Sequence, residues 1–253
     1  MNYLKTLRLE QWYKNLVVFV GIIFALQPHV WLSAVTTFIA FCLISSAGYI
    51  INDLHDTNED RTHPIKRNRP IAAGYIGKGT AATMAITLSI IGLLALLLVN
   101  LNTFLVGLGY LALATAYTYY LKPRYYIGLT AKSLGFVLRA LAGCTALVIL
   151  PSGWLFSCVF ILALLLATAK LRNEGVKELS ITLLFIYTTY TFYQNPLMII
   201  TVVPVAYAIY RYIQLYNKGV ESNPVILKDR RLLSTIFLWL VTVSLALHFG
   251  GIA

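Results

Sequence analysis

Apolar residues in this chain come in long unbroken runs, separated by short polar intervals. Nine runs stand out, roughly 12–27, 31–51, 80–99, 103–121, 127–149, 153–169, 179–193, 196–215 and 232–249. About 20 residues of helix cross a bilayer. A backbone in lipid has to satisfy its own hydrogen bonds, so each run predicts a helix. The pattern therefore predicts an all-α polytopic membrane protein of nine transmembrane helices in a single domain over residues 1–253. The first and seventh runs are the shortest. No internal repeat, low-complexity tract or linker interrupts the series.

The intervals alternate in character. Gln27-Pro28-His29, Asn100-Leu101-Asn102, Pro151-Ser152-Gly153 and Gln194-Asn195-Pro196 are turn-like and carry no Lys or Arg. The opposite set holds 18 of the 20 basic residues: the N-terminus, segment 52–79, Lys122/Arg124, Lys170 to Lys177, and Arg211 to Arg231. Cytoplasmic loops carry the Lys/Arg excess, so the N-terminus is expected inside and the C-terminus outside, with the membrane a prokaryotic cytoplasmic one.

Composition sharpens this picture. Hydrophobic residues form 59% of the chain and charged residues 11%, which excludes a soluble globule, a coiled coil and a disordered chain. A net charge of +11 suits an anionic membrane face or a phosphorylated ligand, and there is no room for a nucleic-acid module. Cys42, Cys144 and Cys158 lie in apolar runs with no zinc or disulfide spacing and read as core residues. Basic residues precede the first apolar run without a small-residue cleavage site, so a retained span is expected.

The chain has only nine acidic residues, and four of them fall in Asn52-Asp53-Leu54-His55-Asp56-Thr57-Asn58-Glu59-Asp60, at the cytoplasmic end of the second run. On a continuing helix Asp53, Asp56 and Asp60 share one face. Like charges on one face repel, and a hard divalent cation bridging them to phosphate oxygens removes the repulsion. Mg²⁺ is commonly held by one or two carboxylates plus substrate phosphates. The bland alternative is a solvated acidic helix end.

Immediately afterwards come Arg61, Lys66, Arg67 and Arg69, in a stretch where Pro64 stops the helix and Pro70 fixes the exit. Arg offers a planar fork and Lys a point charge, both suited to phosphate, although positive-inside topology alone also accounts for basic loops. Gln11, Lys14 and Asn15 enter the first run, Arg139 lies within the fifth, and Lys170, Arg172 and Glu174 follow the sixth. Intramembrane charges normally face a cavity or a partner. Lys132 is open to snorkelling as well as to function. His29 and His248 are expected at the interface, and His55 and His63 are too interspersed with acids for a zinc site.

These residues resemble the UbiA superfamily of intramembrane prenyltransferases. Within it, they resemble the branch that moves phosphoribosyl from phosphoribosyl diphosphate to a polyprenyl phosphate. The resemblance is carried by Leu7 to Asn15, by Asn52 to Gly74, by Gly135-Phe136-Val137-Leu138-Arg139-Ala140, and by Asn223-Pro224 through Leu232 with Lys228-Asp229-Arg230. It implies a helical bundle around a central cavity, with Asp53, Asp56 and Asp60 holding Mg²⁺ and the donor diphosphate. Asn52, Lys66 and Arg69 would cradle the donor. Gln11, Lys14, Asn15, Arg139, Lys170 and Arg172 would line the same cavity, and Arg67 and Lys122 add to its cationic side. The chain departs from the pattern in two places. Gly128 stands where members often carry Asp, and only Glu174 and Glu178 follow Lys170 where a second acidic element is usual.

Three functions stay open at this level. The first is phosphoribosyl transfer between phosphoribosyl diphosphate and polyprenyl phosphate. The second is prenyl transfer from a prenyl diphosphate to a small acceptor. The third is a carrier of phosphorylated solutes, against which the polar residues concentrate on one side. Membrane lipids are partners in each, and an oligomer is compatible with all three.

Overall fold

The computed structural model describes residues 2–21, 31–150, 152–171, 174–219 and 229–250. Gln27-Pro28-His29, Arg172 and most of the 223–232 stretch lie outside them. Among the described residues there are helices and no strand. In chain order these are α1 (Asn2–Thr6), a 3-10 segment (Leu9–Phe19), α2 (Trp31–His55), α3 (Thr57–Thr62), α4 (Lys78–Val99) and α5 (Leu101–Ala116). There follow a π-turn (Tyr117–Leu121), α6 (Tyr125–Ala146), α7 (Gly153–Lys170), α8 (Val176–Gln194), a 3-10 turn (Pro196–Thr201), α9 (Val202–Asn217) and α10 (Arg230–Gly250).

Seven of these stretches, where nine were expected, have the length and apolarity of a membrane span among the described residues. The first run is a 3-10 segment where it is described, and its polar Gln11, Lys14 and Asn15 interrupt its apolar face. In α8 the Thr- and Tyr-rich end from Tyr187 to Tyr193 lowers the apolarity of a 19-residue helix. Ile86, Ile90, Leu94 and Leu98 recur every four residues on α4 and are all exposed, as lipid-facing positions should be. The chain is an integral membrane protein.

Polar turn residues close the short connections. Asn100 accepts from the Thr103 amide at 2.8 Å and donates to the Thr145 carbonyl at 3.0 Å, capping α5 and tying it to α6. Ser152 caps α7 through Leu155 N–H, and Asn195 accepts from Leu197 N–H. Such caps each stabilise by about 1 kcal/mol.

Residues Met1–Leu150 and Pro151–Ala253 form two compact units. In the first, Val18, Phe41, Ile44, Leu96 and Tyr110 make one buried cluster, and Ile50, Ile71, Ile76, Ala81 and Ala85 a second nearer the C-terminal end of α2. The 3-10 segment lies so close to α6 that a Cβ at Gly143 would overlap the Val18 carbonyl. Small residues let membrane helices approach this way. In the second unit Leu165, Ala169, Val176, Leu183 and Tyr212 pack together, and Trp239 Nε1 donates to Tyr187 Oη at 2.8 Å. Asp229 accepts from Arg211 at 2.7 Å and from the Leu232 amide at 2.9 Å, joining α9 to the start of α10.

Candidate active site

The acidic cluster forms where α2 ends. Thr57 turns its hydroxyl back onto the carbonyls of Asp53 and Leu54, at 2.9 and 2.8 Å, and α3 continues from there. At about 100° per residue, a spacing of seven returns Asp60 to the side of Asp53, whereas Asp56 is rotated by about 60°. All three therefore stay within one face, and their partners divide them: Asp53 and Asp60 share Arg69, while Asp56 pairs with Lys122. All three are buried, at 3%, 4% and 1% exposure.

Cations from distant segments neutralise them. Arg69 Nη1 donates to Asp53 Oδ1 at 3.1 Å and to Asp60 Oδ2 at 2.6 Å. Arg8 Nη2 donates to the same Asp53 oxygen at 2.5 Å. Lys122 Nζ reaches Asp56 at 2.6 Å, while Asn52 Nδ2 donates to it at 2.9 Å and His55 Nδ1 lies 3.2 Å away. Burial pushes the Asp56 carboxyl up. The hydrogen bonds from Lys122, His55 and Asn52 and the Lys122 charge outweigh it, holding the group below the usual carboxylate range.

The basic loop is shaped by its prolines. His63 and Arg69 each precede a proline and are extended, with φ −81°, ψ 131° and φ −65°, ψ 140°. Buried Ile71 and Ile76 anchor the far side of the loop, so Arg69 is delivered back onto the aspartates. Lys66 is half-buried and Arg67 exposed, and neither enters an ion pair among the described residues. His63 Nδ1 accepts from the amides of Ile65 and Lys66, which removes it from metal chemistry here.

Asn15 and Arg139 are brought together, but in a second cluster. Arg139 is 4% exposed and donates to Asn15 Oδ1 at 2.6 Å, Gly135 O at 2.8 Å and Tyr110 Oη at 2.7 Å. Asn15 in turn donates to Ser45 and Cys42 on α2. Those residues precede Asp53 by 8 and 11 positions, which at 1.5 Å per residue places this cluster about 12–16 Å deeper. Gln11 and Lys14 are half-buried along the 3-10 segment. Lys170 is exposed at the end of α7, in the second unit. Lys132 is exposed over the Tyr117 ring at 5.2 Å, as a snorkelling side chain would be. At Gly128 a Cβ would meet the Leu121 carbonyl at 3.3 Å, so the π-turn crowds the position where the resembled pattern has Asp.

Among the described residues no three His, Cys, Asp or Glu side chains converge on one point. A magnesium ion does not need three, because substrate phosphates complete its shell. The donor chemistry fits: two buried carboxylates already share one positive group, Arg69 Nη1. Sequence reasoning missed Arg8 as a site residue. It lies in the Leu7–Asn15 stretch, where positive-inside topology explained it equally well.

A model of the UbiA prenyltransferase family matches residues 15–241. The chain is 31% identical to a decaprenyl-phosphate phosphoribosyltransferase from Mycobacterium tuberculosis, over 97% of this chain and 94% of that one. It is 30% identical to the enzyme of the same name from Mycolicibacterium smegmatis, over 98% and 92%. A solved UbiA homologue from Archaeoglobus fulgidus, bound to DMAPP and Mg²⁺, superposes with a TM-score of 0.77 at 19% identity, covering 98% of this chain and 99% of that one.

Proposed function

The chain belongs to the UbiA prenyltransferase family, and on that premise we propose that this membrane enzyme transfers phosphoribosyl from phosphoribosyl diphosphate to a polyprenyl phosphate. The observation that carries the reading is the cation seat between Asp53 and Asp60, occupied by Arg69 Nη1 and flanked by Arg8. Full-length likeness to phosphoribosyl-transferring relatives supports the sugar donor over a prenyl diphosphate.

Asp53 and Asp60 would hold Mg²⁺, with Asp56 beside them. When bound, the ion supplies neutralisation of the leaving diphosphate. Arg69 and Lys122, already at the carboxylates, would meet the diphosphate beside the metal, and Lys66 and Arg67 extend the cationic rim. A lipid phosphate oxygen forms the new bond to the anomeric carbon as the bond from that carbon to diphosphate breaks. Fixed cations in a water-poor site stabilise the departing charge more than they could in water. Asn15 and Arg139 hold the 3-10 segment against α2 and α5 beneath the site. Orientation follows the Lys/Arg asymmetry, with the site on the cytoplasmic face.

Purified protein in liposomes with Mg²⁺ should consume phosphoribosyl diphosphate only when a polyprenyl phosphate is present, and product mass identifies the lipid-linked sugar. Consumption of a prenyl diphosphate with an aromatic acceptor instead would replace this reading with ordinary prenyl transfer. Solute flux without turnover would replace it with a carrier.

A further inference from the structure

Asp53 Oδ1 receives two guanidinium groups, from Arg69 and from Arg8, and among the described residues only Arg69 has a second carboxylate to hold it. Arg8 reaches this oxygen along one face of α2. Ser46 donates to the Leu7 carbonyl at 2.7 Å, Trp12 Nε1 donates to Ser46 Oγ at 3.1 Å, and the Arg8 guanidinium lies 5.1 Å from the centroid of the Tyr49 ring. Ser46, Tyr49 and Asp53 are three and four residues apart and so form one ladder. The Arg8 side chain is 21% exposed against 4% for Asp53, so it covers the carboxylate from the open side.

The backbone at Arg8 is left-handed, with φ 51° and ψ 50°. For a residue with a Cβ this conformation is strained. It persists where surrounding contacts enforce it and is common at clamps and switches. Here the enforcing contacts are the Ser46 bond to Leu7 and the ion pair with Asp53.

A carboxylate oxygen that takes up a divalent ion cannot also keep two guanidinium groups, because three positive groups would crowd one atom. Arg69 leaves the seat to the ion but keeps a second carboxylate within reach, Asp60, whose Oδ1 it does not engage. Arg8 is the group that loses its anion, at the moment when a diphosphate brings new ones. We propose that Arg8 is a substrate-binding residue with two seats: Asp53 while the donor is absent, and a phosphate oxygen of the donor diphosphate once Asp53 holds a metal ion. Tyr49 serves both seats as the face on which the guanidinium turns. This inference deepens the phosphoribosyl-diphosphate reading and rests on it for the donor, though not for the diphosphate group itself.

The two seats predict opposite effects from one substitution. In detergent-solubilised protein, Arg8→Gln should tighten Mn²⁺ binding, read by electron paramagnetic resonance without donor, because a competitor for Asp53 is gone. The same variant at saturating Mg²⁺ should bind phosphoribosyl diphosphate roughly tenfold more weakly, read by calorimetry, since a charge-assisted contact is lost. Arg8→Lys, which keeps the charge without the planar fork, should fall between and serves if Arg8→Gln does not fold. Weakening of both metal and donor would show a merely structural Arg8 and overturn the proposal. Tighter metal with unchanged donor affinity would make Arg8 only a counter-ion and overturn it equally. Inorganic diphosphate, titrated in parallel, separates the two readings. If wild-type protein ignores phosphoribosyl diphosphate but binds diphosphate in an Arg8-dependent way, the donor assignment fails and the two-seat role stands.

Discussion

Lys122 Nζ lies 2.6 Å from both carboxylate oxygens of Asp56, across 66 residues of chain. The pair ties the turn that leaves the π-turn after α5 to the end of α2. It also sets a pH dependence. The Asp56 carboxyl is held below the usual range when folded, so the pairing stabilises above the ordinary carboxylate pKa and is lost as pH falls through the depressed value. The thermal midpoint of solubilised protein should drop as pH falls below the ordinary carboxylate value of about 3.9. Asp56→Asn should flatten that part of the profile. Equal slopes in the two proteins would show that Asp56 is not the group responsible.

Asp53→Asn and Asp60→Asn keep size and remove one negative charge from the seat shared at Arg69. Turnover should fall by roughly 100-fold or more in each, the scale on which a lost electrostatic contact acts in a dry site. The expected companion observation is correct insertion and a normal helical circular dichroism spectrum. Near-normal turnover in either variant would rule the seat out as the reaction centre.

Arg139→Met should behave differently. It leaves the acceptors on Asn15, Tyr110 and Gly135 without their donor, at a cost of about 3 kcal/mol. Arg139→Lys should recover only part of this, because a single ammonium cannot reproduce three divergent contacts. Chemical or thermal unfolding of the solubilised protein reads both, and an unaltered midpoint in Arg139→Met would contradict the assigned clamp.

Gly143→Ala should destabilise strongly, because the new methyl meets the Val18 carbonyl, which is backbone and cannot rotate away. Gly109→Ala is the matched control on an open helix face, with nothing within 4 Å of the added carbon. It should be neutral or slightly stabilising through helix propensity. Equal effects from the two would mean that the 3-10 segment does not sit against α6.

A cysteine at exposed Asn58, in a background lacking Cys42, Cys144 and Cys158, should react with impermeant thiol reagents only from the cytoplasmic side. Labelling from the outer side would invert the proposed orientation and move the site with it.

Much of this fold was legible because lipid simplifies the code: a long apolar run can only be a helix, and the ends of α2, α4 and α7 fall within a few residues of where the runs end. The breaks were less legible. Polar Gln11, Lys14 and Asn15 marked the first segment, but its contacts with Gly143 and Ser45 are ones no local pattern contains. The aspartates stood out because acids are so scarce in the chain. Arg69 and Lys122 were read on the cationic side of the site, but Arg8, 45 residues from its partner Asp53, looked like an ordinary positive-inside residue. Arg139 was found as an intramembrane charge, but its depth relative to Asp53 became visible only through Asn15 and the residues of α2 that Asn15 touches.

The partners of Arg139 also fix an order of events during synthesis. Asn15, Tyr110 and Gly135 all precede it in the chain, so the most costly side chain of the first unit enters the bilayer last, at acceptors already waiting. Asn15 has the opposite experience. Its Oδ1 awaits a donor 124 residues downstream, a delay of roughly 6–25 s at ribosomal speed. Until then the 3-10 segment is held to α2 by bonds to Cys42, Ser45 and Ser46 and by the packing of Val18 and Phe19 on it. A nascent chain arrested before residue 139 therefore carries a first segment that lacks its tie to α6, and Asn15 Oδ1 gains its buried guanidinium only after α6 has arrived.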